Sequence, residues 1–114
     1  QIEKIHIFLK AKRTLLKKYF NVFDKVKGIS LYKEPKDASS NYWLQTLILN
    51  NSNVNLKNKI LKKSHKKLIY IRPVWKLISE LKPYKKNQKM NLSGAKEIYN
   101  KIINLPSSQS LVLK

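Results

Sequence analysis

The sequence contains no cysteine. Disulfide frameworks, thiolate metal sites and a cysteine nucleophile are therefore excluded. Glycine occurs only at Gly28 and Gly94, so no glycine-rich phosphate loop of the P-loop or dinucleotide type can be written. Acidic residues number 6, too few for paired-carboxylate glycoside chemistry or an acidic cation cage. Arginine is confined to Arg13 and Arg72. The longest apolar runs, Leu68-Ile69-Tyr70-Ile71 and Leu47-Ile48-Leu49, fall far short of the roughly 18–20 residues of a membrane span. No basic-then-apolar leader opens the sequence, and the expectation is a cytoplasmic protein without a membrane partner.

What is abundant is lysine. The 114 residues carry 25 basic side chains and a formal charge of +19, which leaves 23 lysines beside the two arginines. A polyanion would gain affinity from such a surface by counterion release. Lysine lacks the bidentate fork that reads phosphate and guanine, however, and the doublets Lys17-Lys18, Lys62-Lys63, Lys66-Lys67 and Lys85-Lys86 are scattered. With so much Asn and Ile beside it, the lysine content reads first as coding bias on solvated faces. Non-specific nucleic-acid binding follows from the charge alone. The apolar fraction of 42% with 10% aromatics supports one small packed domain rather than disorder.

Apolar residues at Ile2, Ile5, Phe8, Leu9, Leu15, Leu16, Tyr19, Phe20 and Phe23 recur at steps of three and four. They predict a long amphipathic helix over residues 1–26, with Lys10, Lys12, Lys17 and Lys18 opposite. Its periodicity is under way at residue 2 without a capping residue, as in the back end of a longer protein. Ile29–Tyr32, Tyr42–Leu49 and Leu68–Ile71 read as strands, the last ended by Pro73. Ser52 or Asn53 caps a second helix to about Lys63, with Val54, Leu56, Ile60 and Leu61 inward. A helical turn is expected around Trp75–Leu81. Ser93 caps a last helix bearing Ala95, Ile98, Ile102 and Ile103. The fold class is α+β: a three-stranded, mostly antiparallel sheet covered by helices over residues 27–114.

No complete active site assembles. His6 and His65 are far apart, without companions for a metal, and neither adjoins a nucleophile elbow. Two segments stand out. Ser40-Asn41-Tyr42-Trp43-Leu44 leads a polar pair into an aromatic strand; Arg72-Pro73-Val74-Trp75 sets an arginine at a strand end before a rigid turn. Two roles fit Arg72: bidentate capture of a carboxylate or phosphate, or a structural pair with Glu80 or a backbone carbonyl. Trp43 and Trp75 read as core or domain-interface anchors before ligand stackers, and Tyr84 is equally open.

The strings Ser40–Leu49 (SNYWLQTLIL), Ile71–Leu77 (IRPVWKL), Leu81 with Tyr84, and Ile102–Ser108 (IINLPSS) resemble the C-terminal small domain of the DegT/DnrJ/StrS nucleotide-sugar aminotransferases, above all their LegC-like branch. Lys12-Arg13 with Tyr19 resembles the long helix that leads from that family's large domain into the small one. Four positions differ from the usual pattern. Leu68 stands where a Gly is usual, Ile71 where a Thr is, Ser79 where a His is, and Lys82 where a Pro is, with Pro83 one residue late.

The resemblance implies a pyridoxal-phosphate enzyme moving an amino group from glutamate to a keto-sugar nucleotide for surface-polysaccharide or glycan synthesis. It implies that the Schiff-base lysine, the acid at the pyridine nitrogen and the phosphate cup belong to an N-terminal large domain absent from these residues. No cofactor is then expected on this chain alone. The expected partners are that large domain or a homodimer mate, with the sugar nucleotide and glutamate as ligands. By the same implication Arg72 and Trp75 are the first candidates for substrate-side contact, with Asn41 and Tyr84 behind them. The competing reading is a stand-alone basic module for nucleic acid or another anion; an independent small enzyme has no acid–base or nucleophilic set behind it.

Overall fold

The computed structural model describes residues 2–113; Gln1 and Lys114, the outermost residues of the expected helix and domain, lie outside the described residues. A 3₁₀ turn at Ile2–Lys4 runs into helix α1, Ile5–Phe23. Gly28, at φ +86°, supplies the left-handed residue that turns the chain toward strand β1, Ile29–Leu31. Strand β2 is Gln45–Leu49 and helix α2 is Val54–Lys66. The Asn53 side chain caps α2 by accepting from Leu56 N, as its position before the helix suggests. Strand β3, Arg72–Pro73, precedes 3₁₀ turns at Ile78–Glu80 and Lys82–Tyr84. Helix α3, Ser93–Lys101, passes directly into strand β4, Ile102–Leu105, and a 3₁₀ turn follows at Gln109–Leu111.

The α+β class holds, but the sheet has four strands in the order β1-β2-β4-β3, all antiparallel. The additional strand is β4. Its Ile102 and Ile103 were expected on the last helix, because a short apolar run fits either period. In the fold they pair on one side with β2 (Leu47↔Ile103, Ile48↔Ile102) and on the other with β3 (Pro73↔Ile103). Pro73 is the last residue of β3, so it ends a strand as expected, though that strand is Arg72–Pro73 and not Leu68–Ile71. Its missing N–H is tolerated because β3 is an edge.

Leu68–Ile71 is not a strand. Leu68 N donates to His65 O at 3.0 Å and Ile69 N to Ser64 O at 2.9 Å, the paired bonds of a Schellman helix end. These N–H groups are spent on closing α2, three residues beyond the expected end, and leave nothing for a ladder. Leu68 occupies the left-handed position of that motif, at φ +59°. Glycine normally fills it.

Alternation along the strands places Leu47 and Leu49 of β2 and Ile103 and Leu105 of β4 on one buried face. With Leu31 and Ile71 they form the core, against which Tyr19, Phe20 and Phe23 of α1 and Ile60 and Leu61 of α2 pack. Helices thus cover one side of the sheet. The expected inward faces and one expected cap need correction. Val54 and Leu56 are 46% and 45% exposed, whereas Lys57 is 4% exposed. Its ammonium donates to Tyr99 O and sits 4.7 Å from the Tyr99 ring centroid, tying α2 to α3. Ala95 and Ile98 of α3 face solvent. Ser93 opens α3 without capping it; Asn91 Oδ1 accepts from Ser93 N instead. Ile2 and Ile5, at the start of the apolar stripe, are exposed.

Candidate functional site

Cross-strand partners share a face of the sheet. Arg72, opposite Asn104, and Asn104, opposite Thr46, therefore lie on the side away from the helices. There a cavity of about 530 Å³ is bounded by Trp43, Tyr70, Arg72, Trp75, Asn104 and Ser107, among others. The two tryptophans meet edge to face with ring centroids 6.0 Å apart, yet are 62% and 74% exposed. They are not core anchors. They form an open aromatic corner beside a guanidinium. Among the described residues the ion pairs are Arg13–Glu34 and Lys101–Glu97; the pairing of Arg72 with Glu80 does not form. Arg72 faces the cavity with its donors available, and no carboxylate lines the site.

Of the four residues singled out from the sequence, Arg72 and Trp75 come together here. Asn41 and Tyr84 do not line the cavity. Asn41 Oδ1 accepts from Trp43 N at 3.0 Å, an Asx turn that aims Trp43 at the site. Tyr84 ends the Lys82–Tyr84 turn and is half-exposed.

The frame of the cavity is held from α1. Lys12 Nζ donates to Ser107 O, to Ser107 Oγ at 2.9 Å and to Trp43 O at 3.2 Å, so one ammonium binds both loops at the rim. Burial lowers its pKa. Lys12 is thus not on the solvated side where helical periodicity put it. Next to it, Arg13 forms a fork on Glu34 (2.8 and 3.2 Å) and donates to Ser39 Oγ and Ser40 O. That guanidinium and the backbone N–H of Ser40 hold the Glu34 carboxyl below its usual range. Arg13 also lies 5.3 Å from the ring centroid of Tyr42, a buried residue at φ +46°. Tyr19 Oη donates to Pro106 O at 2.8 Å. Lys12, Arg13 and Tyr19 are the helix residues of the resemblance, and in the fold they set the two loops around the tryptophans.

Gln45 is a residue that the sequence reading missed. It is wholly buried, its Nε2 donates to Lys12 O at 3.1 Å, and its Oε1 has no partner. The alternation of β2 was its signal: position 45 has the same inward parity as Leu47 and Leu49.

These residues do not fit a covalently held pyridoxal phosphate. The two lysines drawn inward, Lys12 and Lys57, both spend their ammonium on main-chain carbonyls, and no lysine lines the aromatic cavity. His65 Nε2 donates to Ile71 O at 2.7 Å. Among the described residues no three His, Asp or Glu side chains gather as for a metal, and no helix is long and apolar enough to cross a membrane.

A family model for the DegT/DnrJ/EryC1/StrS aminotransferase family matches residues 1–114. No curated protein sequence matches. Among solved structures, the aminotransferase TlmJ from Streptoalloteichus hindustanus superposes with a TM-score of 0.84 at 15% identity, over 96% of this chain and 29% of that one. Helicobacter pylori PseC, an aminotransferase involved in the biosynthesis of pseudoaminic acid, gives a TM-score of 0.85 at 23% identity, over 99% of this chain and 31% of that one. At these identities the likeness is one of fold. The chain spans less than a third of the length of either structure.

Proposed function

Since the chain belongs to the DegT/DnrJ/EryC1/StrS aminotransferase family, we propose that it is the C-terminal small domain of a pyridoxal-phosphate aminotransferase acting on keto-sugar nucleotides. The observation that carries this reading is the family match along residues 1–114. In this reading residues 1–26 are the connecting helix and 27–114 the small domain; the bonds of Lys12, Arg13 and Tyr19 from α1 to the loops of the sheet support it. In this reading the large domain supplies the cofactor and its lysine, and these residues supply none of the bond-making chemistry. The cofactor, when held there, delocalises the electrons released at the amino-bearing carbon.

The work of this domain is to bind and orient. Arg72 holds an anionic oxygen of the substrate, and the Trp43–Trp75 corner covers an apolar or planar face of it and excludes water. Asn41 acts through Trp43 by fixing the turn, and Tyr84 stands by as an outer contact. Glutamate serves as amino donor.

The test is reconstitution. The chain is mixed with the large domain of a family aminotransferase, and 2-oxoglutarate formation from glutamate is measured with a keto-sugar nucleotide as acceptor. Activity is expected only from the mixture, with Arg72→Ala losing at least ten-fold in kcat/KM. Turnover by the chain alone, or an inactive mixture, refutes the proposal.

A further inference from the structure

Strand β1, Ile29–Leu31, is one edge of the sheet, and β3 is the other. Asn50 N donates to Gly28 O at 3.0 Å, and Tyr32 N donates to Thr46 O at 2.9 Å. These two pairs flank Ser30↔Ile48 in the β1–β2 register, so Ser30 is the residue of β1 bonded to β2. Ile29 and Leu31, opposite Leu49 and Leu47, are the non-hydrogen-bonded positions of that ladder. Their N–H and C=O groups point out of the sheet, and among the described residues nothing pairs with them.

A groove follows this edge. The side chains of Ile29 and Leu31 belong to the core on the helix side. Beside them runs a cavity of about 290 Å³, bounded by Phe20 and Phe23 of α1. It shares Phe20, Asp24 and Lys33 with a second cavity of about 500 Å³ that also reaches Lys25. The two are therefore continuous along β1, with an apolar floor. Lys33 Nζ stands 4.3 Å from the Phe20 ring centroid, and Lys25 and Lys33 are both exposed. Asp24 is the single acid among the lining residues, so the rim is cationic.

A second copy of the chain fits this edge badly. Antiparallel pairing of β1 with itself about Ser30 would bring Lys33 of each copy opposite Lys27 of the other, and like charges across a ladder are unfavourable. Lysine at a sheet edge commonly serves that exclusion. The same charge favours a strand of opposite sign. We propose that the β1 edge binds an extended acidic segment of a partner polypeptide, added as a further, outer strand. Its main chain pairs with the free groups of Ile29 and Leu31. Cross-strand partners share a face, so apolar side chains opposite these two enter the groove beside Phe20 and Phe23, and acidic side chains flank them on Lys25 and Lys33. This edge lies across the sheet from the cavity of Arg72, and the proposal is independent of the transaminase reading.

The probe is the peptide acetyl-Glu-Thr-Val-Thr-Val-Thr-Glu-amide, titrated into the isotopically labelled full chain and followed by amide NMR. Its valines can pair with Ile29 and Leu31 while its glutamates reach the lysines. The Ile29 and Leu31 amides are expected to shift downfield and to exchange about ten-fold more slowly, with those of Arg72 and Trp75 unmoved. N-methylation of both valines removes the pairing donors and should weaken binding about ten-fold. N-methylation of the central threonine, whose N–H faces away from β1, should leave it unchanged. Lys33→Glu should weaken binding about five-fold; Lys33 is exposed, so the fold is retained. Absence of binding, equal binding of the valine-methylated peptide, a response confined to other amides, or a concentration-dependent dimer that protects Ile29 and Leu31 overturns the proposal.

Discussion

Replacing Leu68 with glycine should raise stability relative to alanine at the same site, the reverse of the usual order. Leu68 closes α2 in the left-handed region, at φ +59°, with its N–H committed to His65 O and that of Ile69 to Ser64 O. A residue with a Cβ costs about 1–2 kcal/mol in that conformation. Glycine removes this cost but gives back about 0.4–1 kcal/mol through the greater freedom of the unfolded chain. The balance favours Leu68→Gly over Leu68→Ala by about 0.5–1 kcal/mol. The leucine side chain is 74% exposed, so its covered quarter contributes only about 0.5 kcal/mol. Leu68→Ala should thus fall about 0.5 kcal/mol below the parent, and Leu68→Gly should equal or exceed it.

For a domain of this size the Gly–Ala gap corresponds to about 2–4 °C in Tm. Urea unfolding of the three proteins, followed by circular dichroism at one pH, measures it. At an ordinary helical position alanine would win by about 0.5–1 kcal/mol, so the sign of the difference is the test. Alanine more stable than glycine would mean that α2 does not end in this motif.

Further outcomes follow from the core and the charged pairs. Ile103 is fully buried at the centre of the sheet; Ile103→Ala should cost about 3–4 kcal/mol in urea unfolding, and Ile102→Ala markedly less. Were residues 102 and 103 helical neighbours on a frayed end, the two would cost alike. Glu34 has its pKa lowered, first by Arg13 and then by the Ser40 N–H. Its contribution is present above the ordinary carboxylate value of 4.5 and is lost as pH falls through the lower folded value; Glu34→Gln should flatten the acid limb of a stability–pH curve. An unchanged acid limb contradicts that ion pair. The Lys57 pKa is lowered by burial, so its charged form is disfavoured in the folded protein. Stability should rise as pH climbs through its folded value toward 10.5, and Lys57→Met should lose this part of the rise when the two proteins are compared by denaturant titration. A rise of the same size in both proteins would place Lys57 in solvent.

The helices and the best strand were legible because their signals are local. Asn53 before Val54, and the alternation toward Leu49, specify α2 and β2 locally, although the strand expected from Tyr42 starts only at Gln45, because Tyr42 at φ +46° is not extended. Strand β4 was not legible. Ile102 and Ile103 continue the helical spacing from Ile98, and only the strands on either side make them extended. The same holds at Leu68–Ile71, where composition favours a strand but the end of α2 takes the N–H groups first. At the site, Arg72 and Trp75 announced themselves as a rare arginine and an aromatic near a proline. Trp43 was visible as a residue but not as their neighbour, since a separation of over thirty residues is bridged only by the sheet. Lys12 was placed with the solvated lysines because its bonds to Ser107 and Trp43 depend on a loop almost a chain length away.

In the sheet order, β4 stands between β2 and β3, although it follows both in the chain. During synthesis the first hairpin, β1 with β2, is complete long before residues 102–105 leave the ribosome. Until then one side of Gln45–Leu49 offers its amides and carbonyls to any extended segment nearby. Closure of the domain is consequently a late, single event, and a nascent or nicked chain lacking β4 is a template for strand exchange between copies.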